Sequence, residues 1–366
     1  MDAERLLSEA AEAARAAPVR ASAAAVDLFL PEDGRLSDQQ RGTMAQLLAK
    51  LVQAVEQDLR RRLIGHVEAG APDALIAELA SDHVEIASPL LARTGLLRDT
   101  ELVALLRRRS EEHRLITGLR LAAAGLVEGE APAPQAPPLL DRLLQSGQAG
   151  VSEAAMALLI AESRRYDHFQ EPLLARTDLP AEIQHRLVWW TAAALRHHIH
   201  RHHAIGAAFA DRAITAAANE ALATHDESEA LESRAMQLAR TVADHDGLED
   251  AFVTEAIADA RLMLAVAALA VRGGIDLVSA WEMAADPARL AVLLRAIGMK
   301  RPAAATVLMA LCDGERHEER VAELAAAFDA LEWPRALEAI RPWRLDSFYR
   351  RAIADLAAAL PSGDTG

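Results

Sequence analysis

From Ser37 to Gly65 apolar residues recur at intervals of three and four: Met44, Leu47, Leu48, Leu51, Val52, Val55, Leu59 and Leu63. That period predicts one amphipathic α-helix, and Ser37 with Gln40 supplies a capping box at its start. At 1.5 Å per residue such a helix is about 40 Å long. A stripe of that length needs cover, either from partner helices or from a second subunit in a homodimer.

From Pro72 onward the pattern changes to shorter helices. The six residues Pro89-Leu-Leu-Ala-Arg-Thr94 recur letter for letter as Pro172-Leu-Leu-Ala-Arg-Thr177, 83 residues further on (89 to 172). Paired apolar residues at Leu115-Ile116 and Leu143-Leu144 divide that interval into three units of roughly 27 residues. Leu75, Leu102, Met156 and Ile183 fall on a second grid with the same spacing, on which position 129 is Gly129. Gly129 belongs to an Ala/Pro-rich stretch near 124–138 that cannot hold a regular helix, so one repeat is expected to have become a loop. Units this short cannot close a core alone and must stack on their neighbours.

The expected fold is therefore all-α: a HEAT-like α-solenoid of short helix pairs, preceded by a long helix and followed by a C-terminal helical domain. The expected divisions are 1–70 (N-terminal arm and long amphipathic helix), 71–203 (repeat array) and 204–366. After Leu231 helices without a clear period are punctuated at Gly247, Gly273-Gly274, Pro287, Gly298 to Pro302, Gly314, Pro334 and Pro342. The end, Pro361 to Gly366, is expected to fray.

Composition sharpens this picture. Alanine, leucine, arginine and glutamate dominate while aromatic residues make up 4% of the chain, which favours helix over strand. The net charge of −15 repels phosphate backbones and anionic lipid headgroups, so neither nucleic acid nor membrane is an expected partner. The basic runs Arg60 to Arg62 and Arg107 to Arg109 lie beside acids and are expected on solvated helix faces. The apolar window Leu262 to Val271 is about half of what a bilayer span requires and predicts a buried core helix. Met1 to Leu7 carries Asp2 and Glu4 where an export signal would be basic and then apolar. The single cysteine, Cys312, can form no internal disulfide; a cytoplasmic protein is expected, with Cys312 as a small buried hydrophobe.

Leu28-Phe29-Leu30 followed by Leu36-Ser37, the two Pro-Leu-Leu-Ala-Arg-Thr segments, and Leu187-Val-Trp189-Trp190 leading to Ala194-Leu-Arg196 occur in a distinctive order. In that order they resemble an uncharacterised bacterial family catalogued as a domain of unknown function, from about Val26 to about Arg344. The resemblance implies HEAT-like or leucine-rich-variant helical arrays and a bacterial cytoplasm. It implies no substrate, cofactor or catalytic residue. The Ala/Pro-rich insertion and the histidines after Arg196 depart from it.

Candidate chemistry is sparse. Neither a glycine-rich phosphate loop nor a zincin helix occurs. Asp244-His-Asp246-Gly247 lacks oxygen ligands at the first and twelfth loop positions, Val242 and Val253, and reads as an interhelical turn rather than a calcium loop. His197-His198-Ile199-His200-Arg201-His202-His203 has the density of a metal site, with His198 and His202 one helical turn apart as candidate ligands. A third ligand would come from His168, His185 or an acid; the alternative is a solvated helix end where basic groups oppose the carbonyl terminus. His113 and His185 are weighed as phosphotransfer histidines, and Trp189-Trp190 as core packing with a groove anchor as the alternative. No catalytic residue and no cofactor is expected. The expected function is a non-enzymatic protein–protein interaction scaffold or regulatory adaptor; the alternative is a metal-binding sensor or metal-dependent enzyme using His197 to His203.

Overall fold

The structure, a computed structural model, describes residues 2–12, 36–67, 70–81, 84–123, 137–312 and 317–346, with 349, 350, 352, 353 and 356. Leu28-Phe29-Leu30, the frayed end and all but the last two residues of the expected Ala/Pro-rich loop near 124–138 lie outside these residues. The described residues are helical apart from turns and one isolated antiparallel bridge, Tyr166 to Pro172.

Along the chain run α1 (3–12), α2 (Asp38–Val67), α3 (Asp73–Leu79), α4 (Ala87–Thr94), α5 (Thr100–Ala123) and α6 (Leu139–Leu144). Next come α7 (Ala149–Ser163), α8 (Ala181–His202), α9 (Ala207–Ala223), α10 (Leu231–Ala243), α11 (Asp250–Ala258) and α12 (Leu262–Gly273). The last are α13 (Leu277–Ala284), α14 (Pro287–Ala296), α15 (Arg301–Leu311), α16 (His317–Ala330) and α17 (Trp333–Ala339). They fold into two compact units, each assembled from separated segments: residues 18–113 with 160–231, and residues 1–17 with 114–159 and 232–366.

In the first of these units α2 is the spine. Its start is the expected capping box: the Gln40 amide donates to Ser37 Oγ (3.2 Å) while the Ser37 amide donates to Gln40 Oε1 (3.1 Å). All eight predicted apolar positions are buried, and α3, α4, α8 and α9 pack against the helix. The stripe is thus covered within the chain, and no second subunit is needed to bury it.

The same helix buries charge. Glu56 accepts from the amides of Ile86 (2.9 Å) and Ala87 (2.8 Å), satisfying the orphan donors where α4 begins. Arg60 pairs with Glu56 and donates to the carbonyls of Ser81 (2.9 Å) and Val84. Arg109 of α5, 2% exposed, donates through Nε to Leu173 O (2.9 Å) and through Nη2 to Arg165 O (2.8 Å). Arg165 pairs with Glu112 (2.5 Å) and Asp178 (2.7 Å). The expectation of solvated basic runs is therefore corrected at Arg60 and Arg109. Their guanidiniums satisfy backbone carbonyls that no helix can satisfy, and the nearby acids neutralise them inside the fold.

This network also separates the two six-residue copies. Pro89–Thr94 lies within α4, whereas Pro172–Ala175 is extended and Arg176–Asp178 forms a 3-10 turn. The carbonyl of Leu173 is taken by Arg109 and its amide donates to Arg165 O (2.8 Å), so the second copy has no helical bonds to make there. On the other grid Leu75, Leu102 and Ile183 are buried near helix starts, but Met156 is 49% exposed, and the helices they occupy run from 7 to 24 residues in length.

The other unit holds the apolar window. Residues Leu262 to Ala270 of α12 are all buried, as expected, and Gly274 ends the helix in the left-handed region (φ 62°). Successive short helices α11 to α16 each pack on the next, while α14 also meets α12, α16 and α17 and α11 meets α15. Asp276 and Asp286 cap α13 and α14 by accepting from the amides of Ser279 (2.7 Å) and Arg289 (3.0 Å). Cys312 is buried at the end of α15, where burial pushes its thiol up despite the opposing charge of Arg320. Among the described residues no single helix is long and apolar enough to cross a membrane.

Candidate functional site

The histidine run closes α8. Its helix ends at His202, and His203 adopts an extended conformation (φ −129°, ψ 135°) while its amide still donates to Ile199 O (2.9 Å). Five residues along a continuous helix would separate His198 and His203 by about 140° around the axis. The break at His203 turns its ring back beside that of His198, with ring centroids 6.3 Å apart.

Both rings face Glu78, in the last turn of α3. Nε2 of His198 lies 2.7 Å from Oε1 and Nε2 of His203 lies 2.6 Å from Oε2. Burial raises the Glu78 carboxyl, but hydrogen bonds from His203 and His198 and their charge outweigh it, holding the group below its ordinary value. The three side chains are partly buried, with His203 the most enclosed at 10% exposure.

Of the two expected ligands, His198 belongs to this cluster. His202 does not: it is exposed and stacks on His198 at 4.5 Å between centroids. His200 lies toward Asp211 (3.8 Å) and His185 accepts from the Trp189 indole (3.1 Å), while Trp189 and Trp190 are both half-buried against the core. His113, the other phosphotransfer candidate, is half-buried against Tyr166 (6.2 Å). Glu78 and His203 were not foreseen as partners; an acid in the last turn of a seven-residue helix 120 residues away carries no local signal.

A second feature is the turn joining Tyr166 to Pro172. Asp167 Oδ1 accepts from the amides of Phe169 and Glu171 (2.9 Å each), and the Asp167 amide donates to Glu171 O (2.9 Å). Lys50 of α2 clamps the turn from one side, 2.7 Å from Asp167 and 2.9 Å from Glu171, and Gln46 donates to Glu171. The Lys50 hydrogen bond and the backbone donors hold the Asp167 carboxyl below its usual range. Gln170 occupies the left-handed region (φ 63°). At the tip Phe169 is 82% exposed, touched edge-on by His168 (5.2 Å).

Residues 86–341 match the model of a family described as an uncharacterised protein conserved in bacteria, DUF2336. The chain belongs to that family. No curated protein and no solved structure matches the chain. The family segment holds His198, His203 and the Phe169 turn, whereas Glu78 and α2, like the expected start of the resemblance at Val26, lie ahead of it.

Proposed function

We propose that this protein is a non-enzymatic interaction scaffold or regulatory adaptor whose working part is a preformed surface for another protein. The observation that carries this reading is Phe169, an aromatic side chain 82% exposed at the tip of a turn pinned by six hydrogen bonds or ion pairs from Asp167, Lys50, Gln46 and the backbone. A large apolar ring held in water gains nothing for folding. A left-handed, non-glycine residue beside it costs about 1–2 kcal/mol and persists only where surroundings impose it. Such an anchor meets a partner without the entropy cost of ordering a loop.

A HEAT-like character is part of the proposal. It draws support from α11 to α16, short helices each packed on its successor, and not from the repeated hexapeptide. A second reading, the metal-dependent sensor or enzyme, draws on Glu78 meeting His198 and His203.

The test is site-specific photocrosslinking in the native bacterium. Benzoylphenylalanine at position 169 is expected to give discrete protein adducts, and the same residue at Arg61, whose side chain is 77% exposed, is not. Adducts at 169 no more discrete than those at 61 overturn the reading.

A further inference from the structure

We infer that Glu78, His198 and His203 form a binding site for a single divalent transition-metal ion of the zinc class. The inference is independent of the adaptor reading, because it uses different residues and a different measurement.

Three potential donor atoms, one from each side chain, lie within 4.8 Å of one another. Two imidazole nitrogens with one carboxylate oxygen is a donor set that suits zinc and its first-row neighbours, and does not suit calcium or magnesium, which take oxygen ligands. With bonds of about 2.0–2.1 Å, a tetrahedral ion sets its donors roughly 3.3 Å apart. The imidazole-to-carboxylate separations of 2.7 and 2.6 Å fall short of that spacing by about 0.6–0.7 Å, a gap that side-chain rotation closes. Both imidazoles present the same nitrogen, Nε2, to the Glu78 carboxylate, His198 at Oε1 and His203 at Oε2.

The backbone contributes to this convergence. A helix continued through His203 would carry its ring away from His198; the extended conformation at that residue brings it back. Glu78 comes from α3, so the ion would tie the ends of two helices together. Three protein donors leave a fourth position open to water or to a donor from a partner. His202, stacked on His198 and exposed, is outside the donor set and serves as the internal control.

The experiment uses the full chain without an affinity tag, stripped with a chelator and titrated with zinc chloride against a chromophoric competitor. Cobalt chloride serves as a spectroscopic probe of coordination. The wild-type protein is expected to take one equivalent of zinc and to show cobalt d–d bands. His198→Ala and His203→Ala are expected to lose more than about 100-fold in affinity, above the 10- to 100-fold that loss of an outer-shell partner costs. His202→Ala should bind like the wild type. Glu78→Gln keeps the shape of the side chain and decides the matter if a histidine variant fails to fold; it should bind weakly and lose the thermal stabilisation that zinc gives the wild type. No stoichiometric zinc in the wild type, undiminished binding in Glu78→Gln, or a loss in His202→Ala equal to that in His203→Ala overturns the inference.

Discussion

Asp58 illustrates how single residues hold this fold. Its side chain, 10% exposed on α2, lies 3.0 Å from Arg62 Nε and 2.7 Å from Arg176 Nη1. Burial raises its carboxyl, but the Arg62 hydrogen bond and the Arg176 charge prevail and hold it below its ordinary value. A carboxyl depressed by folding contributes stability that is present above the unfolded value and is lost as pH falls through the folded one. Asp58→Asn is therefore expected to lower unfolding free energy at pH 7 by roughly 2 kcal/mol, the range for hydrogen bonds to charged groups. In denaturant titrations the gap between wild type and variant should narrow below about pH 4; a gap that stays constant to pH 2 counts against the ion pair. Arg60 and Arg109 are buried too, but they satisfy backbone carbonyls. A sequence shows that an arginine has acidic neighbours, but the carbonyls of Ser81, Leu173 and Arg165 that these two satisfy come within reach only in the fold.

At the scale of elements, α2 was legible because one face repeats its apolar residues over the whole helix and its cap is local. What covers that face was not, since α8 and α9 lie more than a hundred residues further along the chain. Leu51, 1% exposed, is expected to lose about 2–5 kcal/mol on truncation to alanine, as core leucines do, measured by chemical denaturation. The native mass by light scattering should not change, because the stripe is covered within the chain. A variant that keeps its stability but halves its mass would return the stripe to a subunit interface. The hexapeptide repeat failed as a guide for a related reason. Helix propensity in Leu-Leu-Ala-Arg is weak beside the bonds that Leu173 of the second copy makes to Arg109 and to the Arg165 carbonyl, so identical letters adopt two conformations. His203 escaped notice because periodicity counts on a helix that continues, and here the useful geometry begins where the helix stops.

On the whole-molecule scale, neither compact unit is a continuous stretch, so contacts between segments far apart in the chain decide which of them come together. Charge is different, because it sums without regard to fold. The chain carries 39 basic and 54 acidic residues, and charging all 13 histidines would raise the total only from −15 to −2. Many basic groups are also spent locally: Arg186 on Asp99 (2.6 Å), Arg196 on Asp211 (2.5 Å), Arg320 on Glu9 and Arg335 on Glu4 (2.6 Å each). A protein with a genuine phosphate-binding patch binds DNA or anionic vesicles more tightly as salt falls, since counterion release then favours association. Here a longer screening length, about 30 Å at 0.01 M salt against 8 Å at 0.15 M, extends a repulsive field instead. Neither duplex DNA in a mobility-shift assay nor phosphatidylserine vesicles in cosedimentation should bind at either salt concentration. Binding that strengthens on dilution of salt would reveal a local basic surface that outweighs the net charge, and would redirect the search for partners from proteins to phosphates.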